Sequence, residues 1–419
     1  MKRILLFGVG RSTHTLVKYL VNYCAEQNYH LVLIDKSVNS FIQSFLNIKN
    51  CSFISLDIDN IHLRQEQISS SDLVISMLPP KFHLTIAKDC IFFRKNLITA
   101  SYVSAEIAKL DKEAKKSGIL ILNEVGLDPG IDHISAMDII DSIKEKDGVI
   151  HSFKSFCGGL IAPESDNNPW NYKFTWNPKN VVLAGSSGAS YIKDNKVKKL
   201  SYQEVFSNLE QVNIPNYGKF ESYANRDSLH YKEKYNLKDA HTIVRGTLRK
   251  KGFASAWDVF VQLGMTSEEN KLILSQKEFY SYLKKINDST INIKMNYLDI
   301  FNVDYERINY NSPAEYLLNV LMKKWILDPN DKDMIVMQHK FHYSINEIKK
   351  DLTLSMVVRG DDNIHTGMAK TVGLPVFFAS KLLLENKISL KGVKIPIYKE
   401  IYKPMLRDLK NEGVDFIRS

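Results

Sequence analysis

Only 4 cysteines occur in 419 residues, at positions 24, 51, 90 and 157. No two of them are spaced as a zinc pair, and there is no secretory disulfide framework, so a reducing compartment is expected and the cytoplasm is the expected location. No run of 18 apolar residues exists, which argues against a membrane span or a membrane partner. The opening MKRILLFGVGR has the basic start of a secretory leader, but its apolar part is short and is broken by Gly8, Gly10 and Arg11. Neither G-x-S-x-G nor H-E-x-x-H is present, and His339 and His342, three apart in a strand-like run, would fall on opposite faces. No metal is expected. Basic residues exceed acidic ones, 56 to 47, for a net charge of +9, yet the lysines are scattered. The densest basic stretch, KDAHTIVRGTLRKKG (238–252), lacks the exposed aromatics of a nucleic-acid groove, so no nucleic-acid partner is expected. A positive field suits a small anionic substrate better.

What is present is ordered. The length allows two or three domains with cores of their own, and 44% hydrophobic with 25% charged residues is ordinary for a globular chain. KRILLFGVG reads as a strand stopping at Gly8, THTLVKYLVNYCAEQN as a helix with Leu16, Val17, Leu20, Val21 and Cys24 on one face, and HLVLIDKS as a second strand ending at Asp35. This is a dinucleotide-binding half-pattern. Gly8 allows the tight turn, Gly10 lets a pyrophosphate approach the helix start, and Asp35 is placed to accept from a ribose. The third fingerprint position is Thr13, whose hydroxyl, like that of Ser12, can bond a phosphate. Asp35 repels a 2′-phosphate and favours NAD, while the adjacent Lys36 softens that preference and keeps NADP open.

The alternation continues through 50–58, 71–80, 95–104 and 118–126, with helical spacers between. Six strands in this pattern give an open, mostly parallel sheet with ligands beyond its carboxyl ends, near Gly8, Asp35, Asp57, Leu78, Ser101 and Val125. Asp57 either contacts the adenine side or caps its strand. His83 reads as a structural hydrogen-bonder. ILNEVGLDPGIDH (121–133) leaves the last strand through Gly126, Asp128-Pro129-Gly130 and Asp132-His133, into a helix that Asp132 is placed to cap. Asn123, Glu124, Asp128 and His133 either handle substrate and protons or only stiffen this exit.

From residue 149 the pattern changes to aromatic and β-branched runs split by Gly, Pro and Asn, as in strands of a second sheet. Cys157, followed by two glycines in FCGGL, has no sequence partner for a triad and reads as pocket-lining. Arg226 in YANRDS and Arg245 and Arg249 around Gly-Thr-Leu offer planar forks for carboxylates. Gly246 suggests that Arg245 ends a strand and that Arg249 lies a turn further on. Residues 254–330 look largely helical, including 267–286; 333–345 and 350–360 look like returning strands. NIHTGMAKTVGLPVFFASKLLLENKI (363–388) reads as a helix interrupted at Gly373 and Pro375.

GVGRST, SMLPPKFH, SYVS, NEVGLDPGIDH, SFCGGLIAPESDNNPWNYKFTWNP, YANRDS, RGTLRKKGF, MAKTVGLP and IYKPMLRDL together resemble the glutamate-forming saccharopine dehydrogenase, or saccharopine reductase, family. The resemblance implies an α/β fold: a Rossmann-type parallel sheet domain, a second α/β domain with a mixed sheet, and a small helical insert. The corresponding boundaries are 1–130 for the dinucleotide domain, 131–362 for the substrate domain with its insert at about 260–330, and 363–419 for a segment returning to the first domain. It implies reversible, NAD(P)-linked oxidation of saccharopine to L-glutamate and 2-aminoadipate 6-semialdehyde in lysine metabolism. Gly8, Gly10, Arg11, Ser12, Thr13, Asp35, Asp57 and Ser101 match cofactor-lining positions. Tyr102, Asp128, Cys157, Arg226, Arg245 and Thr247 match substrate-facing motifs. Tyr102, Asp128 and His133 are the candidates for proton handling and orientation. Arg11-Ser12-Thr13 departs from the family's usual loop. A dehydrogenase of a carboxylated polyamine, or a non-catalytic NAD(P)-binding sensor, are the alternatives. Symmetry statistics alone suggest a homodimer.

Overall fold

The computed structural model describes residues 1–269, 275–301 and 310–419. The chain divides into two compact units, Met1–Ser142 with Ile364–Asp415, and Ile143–Asn363 with Phe416–Ser419.

The first unit is built on a parallel sheet of seven strands. Six are β1 (Arg3–Phe7), β2 (His30–Asp35), β3 (Cys51–Ser55), β4 (Leu73–Ser76), β5 (Asn96–Thr99) and β6 (Leu120–Leu122). The seventh, Gly392–Lys394, comes from the far end of the chain and pairs with β6, so the order across the sheet is Gly392–Lys394, β6, β5, β4, β1, β2, β3. Both faces are covered, which is why the strands are apolar throughout rather than alternating. Leu5, Phe7, Val32, Ile34, Val74, Leu97 and Ile121 form one core layer with Ile86 and Ile107. Ile4, Leu6, Leu31, Leu33, Ile75 and Ile98 point the other way and are also buried.

Helix His14–Gln27 buries Leu16, Val17, Leu20, Val21 and Cys24, the stripe that the spacing predicts. Against it packs helix Gly367–Leu384, where a Cβ on Gly373 would stand 2.8 Å from the Leu16 nitrogen. This helix is continuous through Gly373 and Pro375 rather than interrupted. Gly373 is the contact surface, and burial of the helix outweighs the hydrogen bond that proline deletes. By length and apolar content it could cross a membrane, but 83% of it is buried within the protein, as in a core helix.

The second unit carries a mixed sheet of ten strands. Its main run is β10 (Leu209–Ile214), β11 (Gly218–Ala224), β13 (Thr242–Lys250), β7 (Val149–Ile161), β14 (Asp333–Ile345), β15 (Ile348–Arg359) and the edge strand Ile417–Arg418. β8 (Ala189–Lys193), β9 (Lys196–Leu200) and β12 (Arg226–Asp227) attach beside β13. β7 and β13 run parallel; β14 runs antiparallel to β7. Phe156, Leu160, Val212, Phe220, Leu248 and Val336 fill one face of the sheet.

Helices Phe253–Gln262, Gln276–Ile286, Ser289–Leu298 and Pro313–Lys324 gather around an aromatic core containing Trp170, Tyr172, Phe174, Trp257 and Trp325. The aromatic residues of NPWNYKF therefore build a core. In the stretch read as helical over 267–286, residues 270–274 lie outside the described residues. Ser275 and Glu278 form a reciprocal cap at the start of the helix that follows.

Candidate functional site

The carboxyl ends of β1, β2, β4, β5 and β6 share one edge of the first sheet, and the first unit's candidates sit on the turns that leave it. Gly8 has φ +86° and lies against the Met77–Leu78 backbone, where a Cβ would meet the Met77 carbonyl at 2.9 Å. Gly10 is exposed, and a Cβ there would meet nothing within 4 Å among the described residues. The two glycines thus serve different ends. Gly8 permits the turn, and Gly10 leaves clear space above it, the condition a pyrophosphate needs. Arg11 is exposed and Ser12 half-buried. Thr13 is buried, and its hydroxyl donates to the Gly10 carbonyl at 2.7 Å, closing the turn on itself.

Asp35 is fixed by backbone. Its Oδ2 accepts from Val9 N at 2.8 Å and its Oδ1 from Lys36 N at 2.7 Å. The carboxylate holds the glycine turn. Two residues beyond β3, Asp57 accepts from Asp59 N through Oδ1 and pairs with Lys36 Nζ through Oδ2 at 2.9 Å. The Asp59 amide and Lys36 hold the Asp57 carboxyl below its ordinary range.

His83 bridges strand ends. Nδ1 lies 2.9 Å from Ser76 Oγ and Nε2 lies 2.7 Å from Ser101 Oγ. Burial depresses its pKa to about 4. It is a neutral structural link, and through it the Ser101 hydroxyl is fixed.

The bend after β6 is closely packed. The Asp128-Pro129 peptide is cis. A Cβ on Gly130 would overlap the Gly126 backbone, and Gly126 N donates to the Pro129 carbonyl at 2.9 Å. Asp132 lies inside helix Ile131–Lys144, and its Oδ1 accepts from Gly130 N at 2.5 Å. Glu124 and His133 are fully buried, with Nε2 2.7 Å from Oε2; the other Glu124 oxygen accepts from Val103 N at 3.1 Å. Asn123 is buried, and its side-chain amide has no hydrogen-bond partner among the described residues. Asp128 is half-buried, and the Tyr102 hydroxyl donates to its Oδ1 at 3.3 Å. Tyr102 and Asp128 are thus brought together, whereas His133 is drawn into a buried pair with Glu124.

In the second unit, Cys157 is buried between Thr247 of β13 and Met337 of β14. The strand β13 does not end at Arg245. Gly246 accommodates the close approach of the Ser222 side chain, and the strand continues to Lys250. Arg245, Thr247 and Arg249 consequently share one face. Arg245 is 2% exposed, its guanidinium 4.3 Å from the Tyr231 ring centroid. Arg226 is exposed, with φ +53°, on the short strand β12 beside β8. Among the described residues, no group of three or more His, Cys, Asp or Glu converges as a metal site.

Two family models cover the chain: "Saccharopine dehydrogenase NADP binding domain" over residues 4–122, and "Saccharopine dehydrogenase C-terminal domain" over 126–414. The chain is 35% identical to the mitochondrial alpha-aminoadipic semialdehyde synthase of Mus musculus, over 99% of this chain and 47% of that protein. It therefore spans about half the length of that relative. It is 31% identical to the saccharopine dehydrogenase (NADP+, L-glutamate-forming) of Pyricularia oryzae, over 98% of this chain and 97% of that one. The apo structure of histidine-tagged saccharopine dehydrogenase (L-Glu forming) from Saccharomyces cerevisiae superposes with a TM-score of 0.89 at 28% identity, covering 100% of this chain and 99% of that one. With both of its halves matched, the chain belongs to the saccharopine dehydrogenase family.

Proposed function

We propose that the protein is an NAD(P)-dependent oxidoreductase that oxidises the secondary amine of saccharopine, with water, to L-glutamate and 2-aminoadipate 6-semialdehyde, reversibly. The observation that carries this reading is the Tyr102–Asp128 contact on the carboxyl edge of a sheet whose first turn is open above Gly10. Family membership, and relatives named for this reaction, support the substrate.

The first unit is assigned the cofactor. Clear space over Gly10, with Arg11 and Ser12 beside it, fits a pyrophosphate, and Ser101 fits a ribose. NADP is favoured over NAD. Asp35 is occupied by two backbone amides, Lys36 supplies a nearby cation, and the Pyricularia relative is named for NADP+. The bound nicotinamide supplies the acceptor for hydride.

The second unit is assigned the substrate, with Arg226 and Arg245 for carboxylates and Thr247 and Cys157, neighbours across β13 and β7, shaping the pocket wall. Saccharopine must lose the carbon-bound hydrogen beside a neutral nitrogen, because the nitrogen lone pair forms the iminium. Water then adds, which requires a base, and the resulting carbinolamine collapses once the departing glutamate nitrogen is protonated. Asp128 is the group proposed to exchange these protons, with Tyr102 orienting it. Glu124 and His133 are assigned to holding the bend rigid so that Asp128 keeps its place. Appearance of the near-ultraviolet band of reduced nicotinamide, on mixing protein, saccharopine and NADP or NAD, tests the reading.

A further inference from the structure

Two of the buried cations in this protein are met by carboxylates. Arg64 pairs with Asp89 at 2.6 Å, and Lys173 pairs with Asp331 at 2.5 Å and Asp328 at 2.9 Å. Arg249, like Lys294, whose ammonium donates to the Pro169 carbonyl, is different. It is 4% exposed, yet no carboxylate among the described residues pairs with it. Its Nη1 donates to the Leu248 carbonyl at 2.9 Å, and its Nε is buried with no hydrogen-bond partner among the described residues. The acid opposite it in register, Glu221, is turned elsewhere. Its two oxygens accept from Gly252 N at 3.0 Å and Ala254 N at 2.7 Å, at the start of helix Phe253–Gln262.

A guanidinium cannot escape burial by losing its proton. A buried ion without a counter-charge is costly, and breaking such a pair is more costly than never forming it. Aromatic faces offset part of the penalty: the Arg249 guanidinium carbon lies 5.0 Å from the Tyr172 ring centroid, 5.3 Å from Phe253 and 5.8 Å from Tyr223. Rings cannot satisfy an N–H donor in the guanidinium plane.

Arg249 also lies on the face of β13 that carries Arg245 and Thr247. The two arginines are four residue steps apart, about 13 Å along the strand. An extended chain with a carboxylate at each end has about that length.

We propose that Arg249 is a third carboxylate-binding group, taking the substrate carboxylate at the end opposite the one held by Arg245. This rests on the reading of the substrate as saccharopine, whose three carboxylates would then meet three arginines.

The test is calorimetric binding of saccharopine, and of its three monoamides, to the wild type, Arg249→Met and Arg249→Lys, each with cofactor present. Methionine keeps bulk and apolar contact; lysine keeps charge but loses the fork. Loss of a charge-assisted pair is expected to weaken saccharopine binding at least about tenfold in Arg249→Met, with a smaller loss in Arg249→Lys. One monoamide should bind the wild type as poorly as saccharopine binds Arg249→Met, and that variant should no longer distinguish the two ligands. Thermal melting without substrate should show Arg249→Met no less stable than wild type. If Arg249→Met discriminates all three monoamides as wild type does, or only its melting point falls, Arg249 is a packing residue and the proposal is overturned. Should methionine prevent folding, unaltered monoamide discrimination by Arg249→Lys overturns it equally. If the wild type fails to bind saccharopine at all, the substrate assignment has failed instead.

Discussion

The Tyr102 hydroxyl donates to Oδ1 of Asp128 across 3.3 Å, linking the segment after β5 to the bend after β6. A carboxylate oriented by a phenol, half-exposed on an otherwise buried bend, is the group proposed above for proton exchange. Asp128→Asn keeps the shape and removes the basicity. We expect its kcat to fall by about two to four orders of magnitude with both ligands still bound, and Tyr102→Phe to lose about tenfold. Steady-state kinetics across pH check this; a normal rate and an unchanged pH profile for Asp128→Asn remove it from proton transfer.

Gly10 and Gly130 predict opposite outcomes for one substitution. Gly10 has φ −98° and open space, so Gly10→Ala should melt like the wild type while binding nicotinamide nucleotide at least about tenfold more weakly. Gly130 has φ +146°, and a Cβ there runs into the Gly126 backbone, so Gly130→Ala should lose about 3 kcal/mol or fail to fold. Thermal melts and cofactor titrations of the two variants measure both.

His83 gives a pH-dependent stability. Folded, it stays neutral down to about pH 4, whereas the unfolded chain protonates it near 6.5. The unfolded state therefore binds the extra proton between those values, and stability falls as pH drops through that window. The full loss is about 3 kcal/mol, with nothing lost above pH 6.5 and nothing further below about 4. Urea unfolding at stepped pH should show this slope in the wild type and a shallower one in His83→Gln.

Lys36 is latched to Asp57 and stands beside Asp35, where a 2′-phosphate would compete for it. Lys36→Met should weaken NADP by about tenfold and leave NAD within about twofold. Asp57→Asn should strengthen NADP by freeing the ammonium. Equal loss of both nucleotides in Lys36→Met would show that Lys36 does not read the phosphate.

Local patterns made the first sheet readable. Strand, Gly8 turn, helix and Asp35 follow within 35 residues, and each is encoded by period and turn chemistry. Each apolar run slightly overstates its strand, since residues such as Met77 and Leu78 are apolar because the glycine turn packs on them. The seventh strand was hidden for another reason: Gly392–Lys394 is three residues long and is specified by β6, far away in the chain. Glycine misled twice. Gly246 reads as a break and Gly373 as an interruption, yet each marks a close approach inside a continuous element. That error hid the shared face of Arg245, Thr247 and Arg249, which a period of two would have exposed. The Tyr102–Asp128 contact joins two motifs 26 residues apart and follows from adjacent parallel strands. Glu124, the partner of His133, also has a positive φ, for which the sequence carries no signal.

The most direct measurement is turnover of saccharopine by the purified protein with NADP and, separately, NAD, following reduced nicotinamide optically and L-glutamate chemically. The account predicts equal amounts of both products, faster with NADP, and near-complete loss of both in Asp128→Asn. Tight nucleotide binding with no glutamate released under either cofactor would contradict it.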